Sequence, residues 1–448
     1  MKLSLKNIGM ITEAELNIDK LTIIAGQNDT GKSTIGKVLF GITNGIINLE
    51  KTFKRYKKMA INNNLNEIEK RLISNEKWKS DFIKGNYSYY ENMEDIEDME
   101  ELEFEDKLFD KIFEIENLEN SLFECNEKVF NNFKTYVLKY LKEEDIFKYI
   151  EDLNKVIKYS SQDETIQRYA IRQALNLEFG NQINNCFSDE KAEIKLEIDD
   201  KVFLELEILN NTNLYVKVLK ELFTEDIAYI EGPYMFGEKR NVLFQMNRLN
   251  SLKNRNDNLI DKIRKSYRKN EFNFVEMALS EERKQKFEEL LNNSMGGVFK
   301  YSEKFDSFVL EKNGKEIVMS NIAMGIKSFA ILDALLKINF FKQDNILIID
   351  EPETHLHPKW QIEYAKIITN LARAFDTKII ITSHSPYMIE AFQKFTEKEE
   401  ISKNTNFYLL KKTGNTSKVE NVNDSLEKIY SELGSAFRDL DEITLGDL

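Results

Sequence analysis

The nonapeptide GQNDTGKST, residues 26–34, limits what this chain can fold into more than any other stretch of it. It fits G-x-x-x-x-G-K-[ST], follows the apolar run LTIIAG and precedes a segment with helical spacing from Lys32 to about Ile42. Strand, glycine-rich turn and helix in that order make a phosphate-binding loop. The glycines let consecutive backbone N–H groups curl toward an anion, which then rests on the positive end of the helix. Gly26, Gln27, Asn28, Asp29, Thr30, Gly31, Lys32, Ser33 and Thr34 are therefore candidate ATP-binding residues. Lys32 would reach the β- and γ-phosphates, Ser33 would ligate Mg²⁺, and Thr34 would lie near the α-phosphate.

Such a loop needs a carboxylate at the end of a neighbouring strand. NILIIDE supplies Asp350 after a short apolar run suited to a buried parallel strand. Glu351 beside it could polarise an attacking water. Pro358 opens a helix and KIIITS reads as a second buried strand, so strand, helix, strand implies a parallel sheet. His384 follows that strand and would emerge at the same carboxyl edge, where ligands of open α/β sheets bind. His355 and His357, two residues apart and flanked by carboxylates, raise a transition-metal site as the alternative. They lie in a turn before Pro358 without a spacing such as H-E-x-x-H, which favours a packed, hydrogen-bonded structural role.

The rest of the chain frames these motifs. KLSLKNI, ITEAELNI and LTIIAG read as strands, while residues 51–189 carry a mostly helical pattern with almost no glycine. Sheet structure resumes with AEIKLEIDDKVFLELEILNNTNLYVKVL and DIAYIEGP, and helices follow over about 249–293. GGVFKYSEKFDSFVLEKNGKEIVMS reads as an antiparallel meander turning at Asn313-Gly314, and TNFYLLKKTGNTSKVENVN as a terminal hairpin. The expectation is an α/β head made of residues 1–50 and 190–448, split by a helical insertion over 51–189. Asp350 lies more than 300 residues from the loop that it would serve, which excludes a compact kinase or small GTPase.

Taken together, GQNDTGKST with Asn28, IIDEPETHLHP and IIITSHSP resemble the ABC-class ATPase heads of the SMC/Rad50/RecF group. The likeness is greatest to the overcoming-lysogenization-defect (OLD) type ATPases and covers residues 1 to about 45 and about 190 to 410. It implies an SMC-like head with an antiparallel β lobe and a parallel P-loop core, hydrolysing Mg-ATP. It also implies Asp350 as Mg²⁺ ligand, Glu351 as catalytic base and His384 as sensor of the γ-phosphate. THLHP matches the loop that crosses a head-to-head interface, so a homodimer or larger homo-oligomer is implied. The family's signature loop falls on SNIAMGIKSFAIL, where Gly325 keeps the glycine and Met324 takes the serine slot. Ser320, Asn321, Lys327 and Ser328 are the polar residues left to contact a partner's γ-phosphate. Small ATPases of this kind often belong to antiphage systems such as Septu or PARIS, which implies a separate effector, a nuclease or toxin. Fewer than 65 residues follow His384, so the Toprim domain of full-length OLD nucleases is not expected here.

Charge leaves other partners open. The net charge of −14 is concentrated: between Glu91 and Asn120 fourteen acidic residues face two lysines. KTFKRYKKM from Lys51 and the segment from Lys239 are locally basic and could meet nucleic acid, or could be solvated helix faces. A DNA-repair ATPase and a nucleotide-binding scaffold with little turnover are the alternative readings. Two cysteines, no leader-like N-terminus and no long apolar run point to a cytoplasmic protein without membrane contact.

Overall fold

The computed structural model describes residues 1–85, 118, 120, 122–161, 163–219, 226–232, 255–269 and 274–434. It divides into two compact units, Met1–Asn48 with Arg168–Leu448, and Leu49–Gln167. The first unit opens with the hairpin β1 (Lys2–Ile8) and β2 (Ile11–Asn17), then β3 (Leu21–Gly26) and α1 (Lys32–Ile47).

The second unit is helical: α2 (Leu49–Ile73), α3 (Glu76–Gly85), α4 (Glu127–Tyr140) and α5 (Glu144–Lys158). Ile61, Leu65, Ile68 and Leu72 of α2 share a buried core with Ile146, Ile150, Leu153 and Ile157 of α5. Both sets repeat at three and four residues, which puts each on one helix face. Trp78 is buried there and donates its indole N–H to the Tyr136 hydroxyl at 2.9 Å.

The head resumes earlier than 190. Helix α6 (Glu164–Phe179) places Ile171 and Leu175 in the core of the sheet unit, so the division falls at Arg168. Its helical period matches that of the insertion, and only its packing partner separates the two. Then come β4 (Ala192–Ile198), β5 (Lys201–Leu209), β6 (Asn213–Leu219), β7 (Ile227–Ile230), α7 (Arg255–Lys269) and α8 (Phe274–Met295). A separate three-stranded meander follows, β8 (Val298–Ser302), β9 (Ser307–Lys312) and β10 (Lys315–Val318). It turns at Asn313 and Gly314 with φ of 52° and 71°, as a two-residue hairpin loop requires. The chain continues through α9 (Met324–Lys337), β11 (Ile346–Asp350), α10 (Pro358–Ala374), β12 (Lys378–Ser383) and α11 (Pro386–Lys398). The last elements among the described residues are β13 (Thr405–Thr413), β14 (Thr416–Asn421) and α12 (Glu427–Leu433).

The antiparallel lobe and the parallel core are two ends of one eleven-stranded sheet, in the order β6-β5-β4-β1-β2-β14-β13-β3-β12-β11-β7. The terminal hairpin joins them, β14 lying parallel to β2 and β13 parallel to β3. The central residues of β3, β11 and β12 are mostly apolar and buried because both faces of the parallel core are covered. Leu347 and Ile349 of β11 enter one core, Ile346 and Ile348 the other. Among the described residues no helix is long and apolar enough to cross a membrane. The acidic segment 91–120 and the start of the basic segment from Lys239 lie almost wholly outside the described residues.

Candidate functional site

Strand β3 ends on Gly26, and α1 starts at Lys32 behind Gly31, whose φ of 86° is left-handed and suits glycine. No side chain caps α1, so its first N–H groups remain available to an anion. Gln27, Asn28 and Asp29 are exposed, whereas Thr30, Lys32 and Thr34 are buried. Thr30 donates to the Gln27 carbonyl at 2.8 Å and the Lys32 ammonium donates to the same oxygen at 2.8 Å, which closes the loop on itself.

Parallel pairing brings the second half of the site alongside. Asp350 ends β11 opposite Thr382 of β12, and β12 pairs with β3. Ser33 Oγ donates to Asp350 Oδ1 at 3.0 Å, and the Thr382 hydroxyl donates to the same oxygen. On the far side, Tyr229 of β7 donates its hydroxyl to Asp350 Oδ2 at 2.9 Å. Burial, with the Asp350 charge, pushes the Tyr229 phenol well above its ordinary value, so it stays a donor.

Glu351 steps off the strand at a left-handed φ of 46° and comes to lie between Lys32 and His384. Its Oε1 is 3.3 Å from the Lys32 ammonium and 3.6 Å from His384 Nδ1. His384 first, then Lys32, hold this carboxyl down to about 2, overcoming the opposite effect of burial. In return Glu351, with Glu353, raises the imidazole above its usual 6.5. Glu353 is 5% exposed and burial raises its carboxyl. It accepts from Ser383 Oγ at 2.9 Å and from the His384 backbone N–H at 2.6 Å, and lies 3.1 Å from His384 Nδ1. A histidine whose folded pKa is raised adds stability below its ordinary pKa and loses it as pH rises through the raised value. We therefore expect the difference in melting temperature between wild type and His384→Asn to be largest below the ordinary histidine value of 6.5 and to shrink as pH rises above it, followed by thermal denaturation across pH.

Ser33 and Asp350 offer hard oxygens close together, the donor set that Mg²⁺ prefers. Among the described residues no group of three His, Cys, Asp or Glu could hold an ion, so phosphate and water would complete the shell. His355 and His357 are both exposed, so the packing expected of them is absent, while the hydrogen-bonded structural role holds for His357. His357 Nδ1 caps α10 by accepting from the Lys359 N–H at 3.3 Å, and His355 takes a left-handed turn with φ 66°.

Gly325 is not gathered around this loop. It opens α9, where an added Cβ would meet the Trp360 ring at 2.8 Å and Leu356 at 3.2 Å. Gly325→Ala should therefore destabilise by about 1–3 kcal/mol through overpacking, a drop of several degrees in melting temperature. An unchanged melting temperature would show that the ring yields freely. Of the polar residues nearby, Ser320 and Asn321 are exposed while Lys327 and Ser328 are buried.

Tyr229 and Thr382 were not singled out by sequence, and Glu353 was noted there only as a carboxylate beside the histidines. Thr382 and Glu353 sit inside the TSHSP and DEPE stretches and could have been suspected, but nothing local marks Tyr229.

A family model described as an AAA ATPase domain matches residues 1–389. The chain belongs to the AAA ATPase domain family. This AAA ATPase-domain chain is 33% identical over 114 residues to the Septu protein PtuA of Bacillus thuringiensis, covering 23% of the chain and 28% of that protein. It is 28% identical over 314 residues to the uncharacterized protein MJ1542 of Methanocaldococcus jannaschii, covering 66% of the chain and 34% of that protein. The chain thus spans about a third of the length of the curated relatives that it matches. An SMC head bound to the C-winged helix domain of ScpA aligns over 95% of this chain and 98% of its own, at 13% identity and a TM-score of 0.44. The SMC head domain from Thermotoga maritima aligns over 94% and 98%, at 11% identity and a TM-score of 0.36.

Proposed function

We propose that the chain binds Mg-ATP at residues 26–34 and hydrolyses it, and that copies associate through their heads to control a separate effector in bacterial antiphage defence. The placement of Glu351 carries the hydrolytic part. It lies between Lys32 and His384, one residue beyond an aspartate bonded to Ser33.

The phosphates would take the Lys32 ammonium, removing one of the two groups that keep Glu351 weakly basic. Its carboxylate then becomes a better acceptor for the proton of an attacking water. His384, whose imidazole Glu351 and then Glu353 favour in the protonated form, stands ready to hydrogen-bond a terminal phosphate oxygen. Mg²⁺ at Ser33 and Asp350 would offset charge on the β- and γ-phosphates.

Association and the effector rest on the THLHP and signature-loop resemblance and on the stretch shared with a Septu protein. Phosphate release by the purified chain, with and without Mg²⁺, tests the enzyme reading, and no release under either condition refutes it. Light scattering with ATP tests association: an ATP-dependent doubling of mass is expected, and an unchanged mass refutes it. Co-purification with the product of the adjacent gene tests the effector.

Several of the basic residues that a nucleic-acid reading would need are engaged within the protein. Lys54 pairs with Glu50 at 2.5 Å, and Lys57 is buried, donating to the Tyr159 carbonyl at 3.2 Å. Arg255 pairs with Glu178 and Glu231, and Lys262 with Asp226.

A further inference from the structure

We infer that Tyr229 is a positioning residue that decides which oxygen of Asp350 faces the metal. The inference rests on the Mg²⁺ site proposed above and adds a residue to it.

Asp350 is a largely buried anion, and a buried carboxylate must have its oxygens satisfied. Oδ1 receives Ser33 and Thr382, the first from the phosphate-binding loop itself. Oδ2 receives Tyr229, and this is what distinguishes the two ends of the group. With Oδ2 held from the β7 side, rotation of the carboxylate about its last bond is blocked, and Oδ1 is left pointing at Ser33.

The phenol is well suited to this because its own position is fixed from several directions. Tyr229 is 0% exposed, and its strand pairs with β11 in parallel, Tyr229 opposite Ile348. Phe40 packs edge-on against its ring, centroids 5.8 Å apart at 79°. The Arg255 guanidinium lies 4.5 Å from the ring centroid, and Glu178 anchors that arginine at 2.8 Å. The remaining side is closed by α1: a Cβ on Gly36 would come within 2.9 Å of Tyr229 Cε2, so only glycine lets the helix lie so close to the ring. A ring clamped by α1, α7 and β11 can move its hydroxyl very little. In this arrangement Tyr229 acts through Asp350, the group to which its hydroxyl donates.

Tyr229→Phe removes one oxygen and keeps the ring. Binding of a fluorescent ATP analogue is measured in EDTA and across a MgCl₂ series, with melting temperature followed in parallel. Affinity in EDTA should match wild type, while the Mg²⁺ concentration needed for half of the metal-dependent gain should rise about tenfold, the value of one hydrogen bond to a charged group. In an Asp350→Asn background the same substitution should change the Mg²⁺ dependence no further, whereas a merely structural role would leave the two effects additive. A wild-type Mg²⁺ dependence that persists unchanged in Tyr229→Phe overturns this inference alone. A wild type whose nucleotide affinity ignores Mg²⁺ overturns the site on which it rests.

Discussion

Glu351→Gln should release phosphate from ATP roughly 10²–10⁴-fold more slowly than wild type while binding the nucleotide about as well. The amide keeps the size and the left-handed backbone of the carboxylate but cannot take up the proton of an attacking water. Folding should be little affected, because Glu351 is 33% exposed and its pairs with Lys32 and His384 are partly screened by solvent. Slow hydrolysis with intact binding should also prolong any ATP-held association, so the mass increase sought by light scattering should be clearest in this variant. Single-turnover phosphate release, paired with an equilibrium binding titration, separates the two quantities. Turnover at the wild-type rate would place the base elsewhere. Glu353, buried and already accepting from Ser383 and the His384 N–H, is poorly placed to replace it.

Lys32→Ala should lower nucleotide affinity roughly a hundredfold, the loss expected when charge-assisted contacts to phosphate disappear. The side chain is only 3% exposed and is held by the Gln27 carbonyl and by Glu351, so it is aimed along the loop and spends little entropy on binding. Its removal also takes a cation from Glu351, leaving His384 as the main partner and allowing that carboxyl to rise from about 2. Isothermal titration with Mg-ATP measures the change. An affinity within about threefold of wild type would mean that Lys32 does not face the phosphates.

These two residues were legible because their signals are local. The run LTIIAG, the glycine spacing after it and the helical pattern from Lys32 are each encoded within a few residues, and the same holds for NILIID followed by Glu351. The hairpins were legible too, Asn313-Gly314 fixing its turn by the backbone that those residues permit. Other features were not readable in this way. Helix α6 carries the same period as the insertion that precedes it, and only the burial of Ile171 and Leu175 in the sheet core assigns it to the head. Gly325 reads as a signature-loop glycine, yet Trp360, thirty-five residues on, gives it a packing reason of its own.

By itself, then, the sequence determined that a strand, a glycine-rich turn and a helix form from residue 21 to about 42, and that a buried strand ends at Asp350 with Glu351 just beyond it. Those outcomes follow from side-chain periodicity and turn chemistry, which act between near neighbours. Tertiary structure alone decided that β7 lies beside β11, that β13 and β14 join the two ends of one sheet, and that Tyr229 grips the far oxygen of Asp350 across 121 residues. Strand pairing uses backbone groups that every residue except proline can supply, so its partners are chosen by how side chains pack on the two faces of the finished sheet.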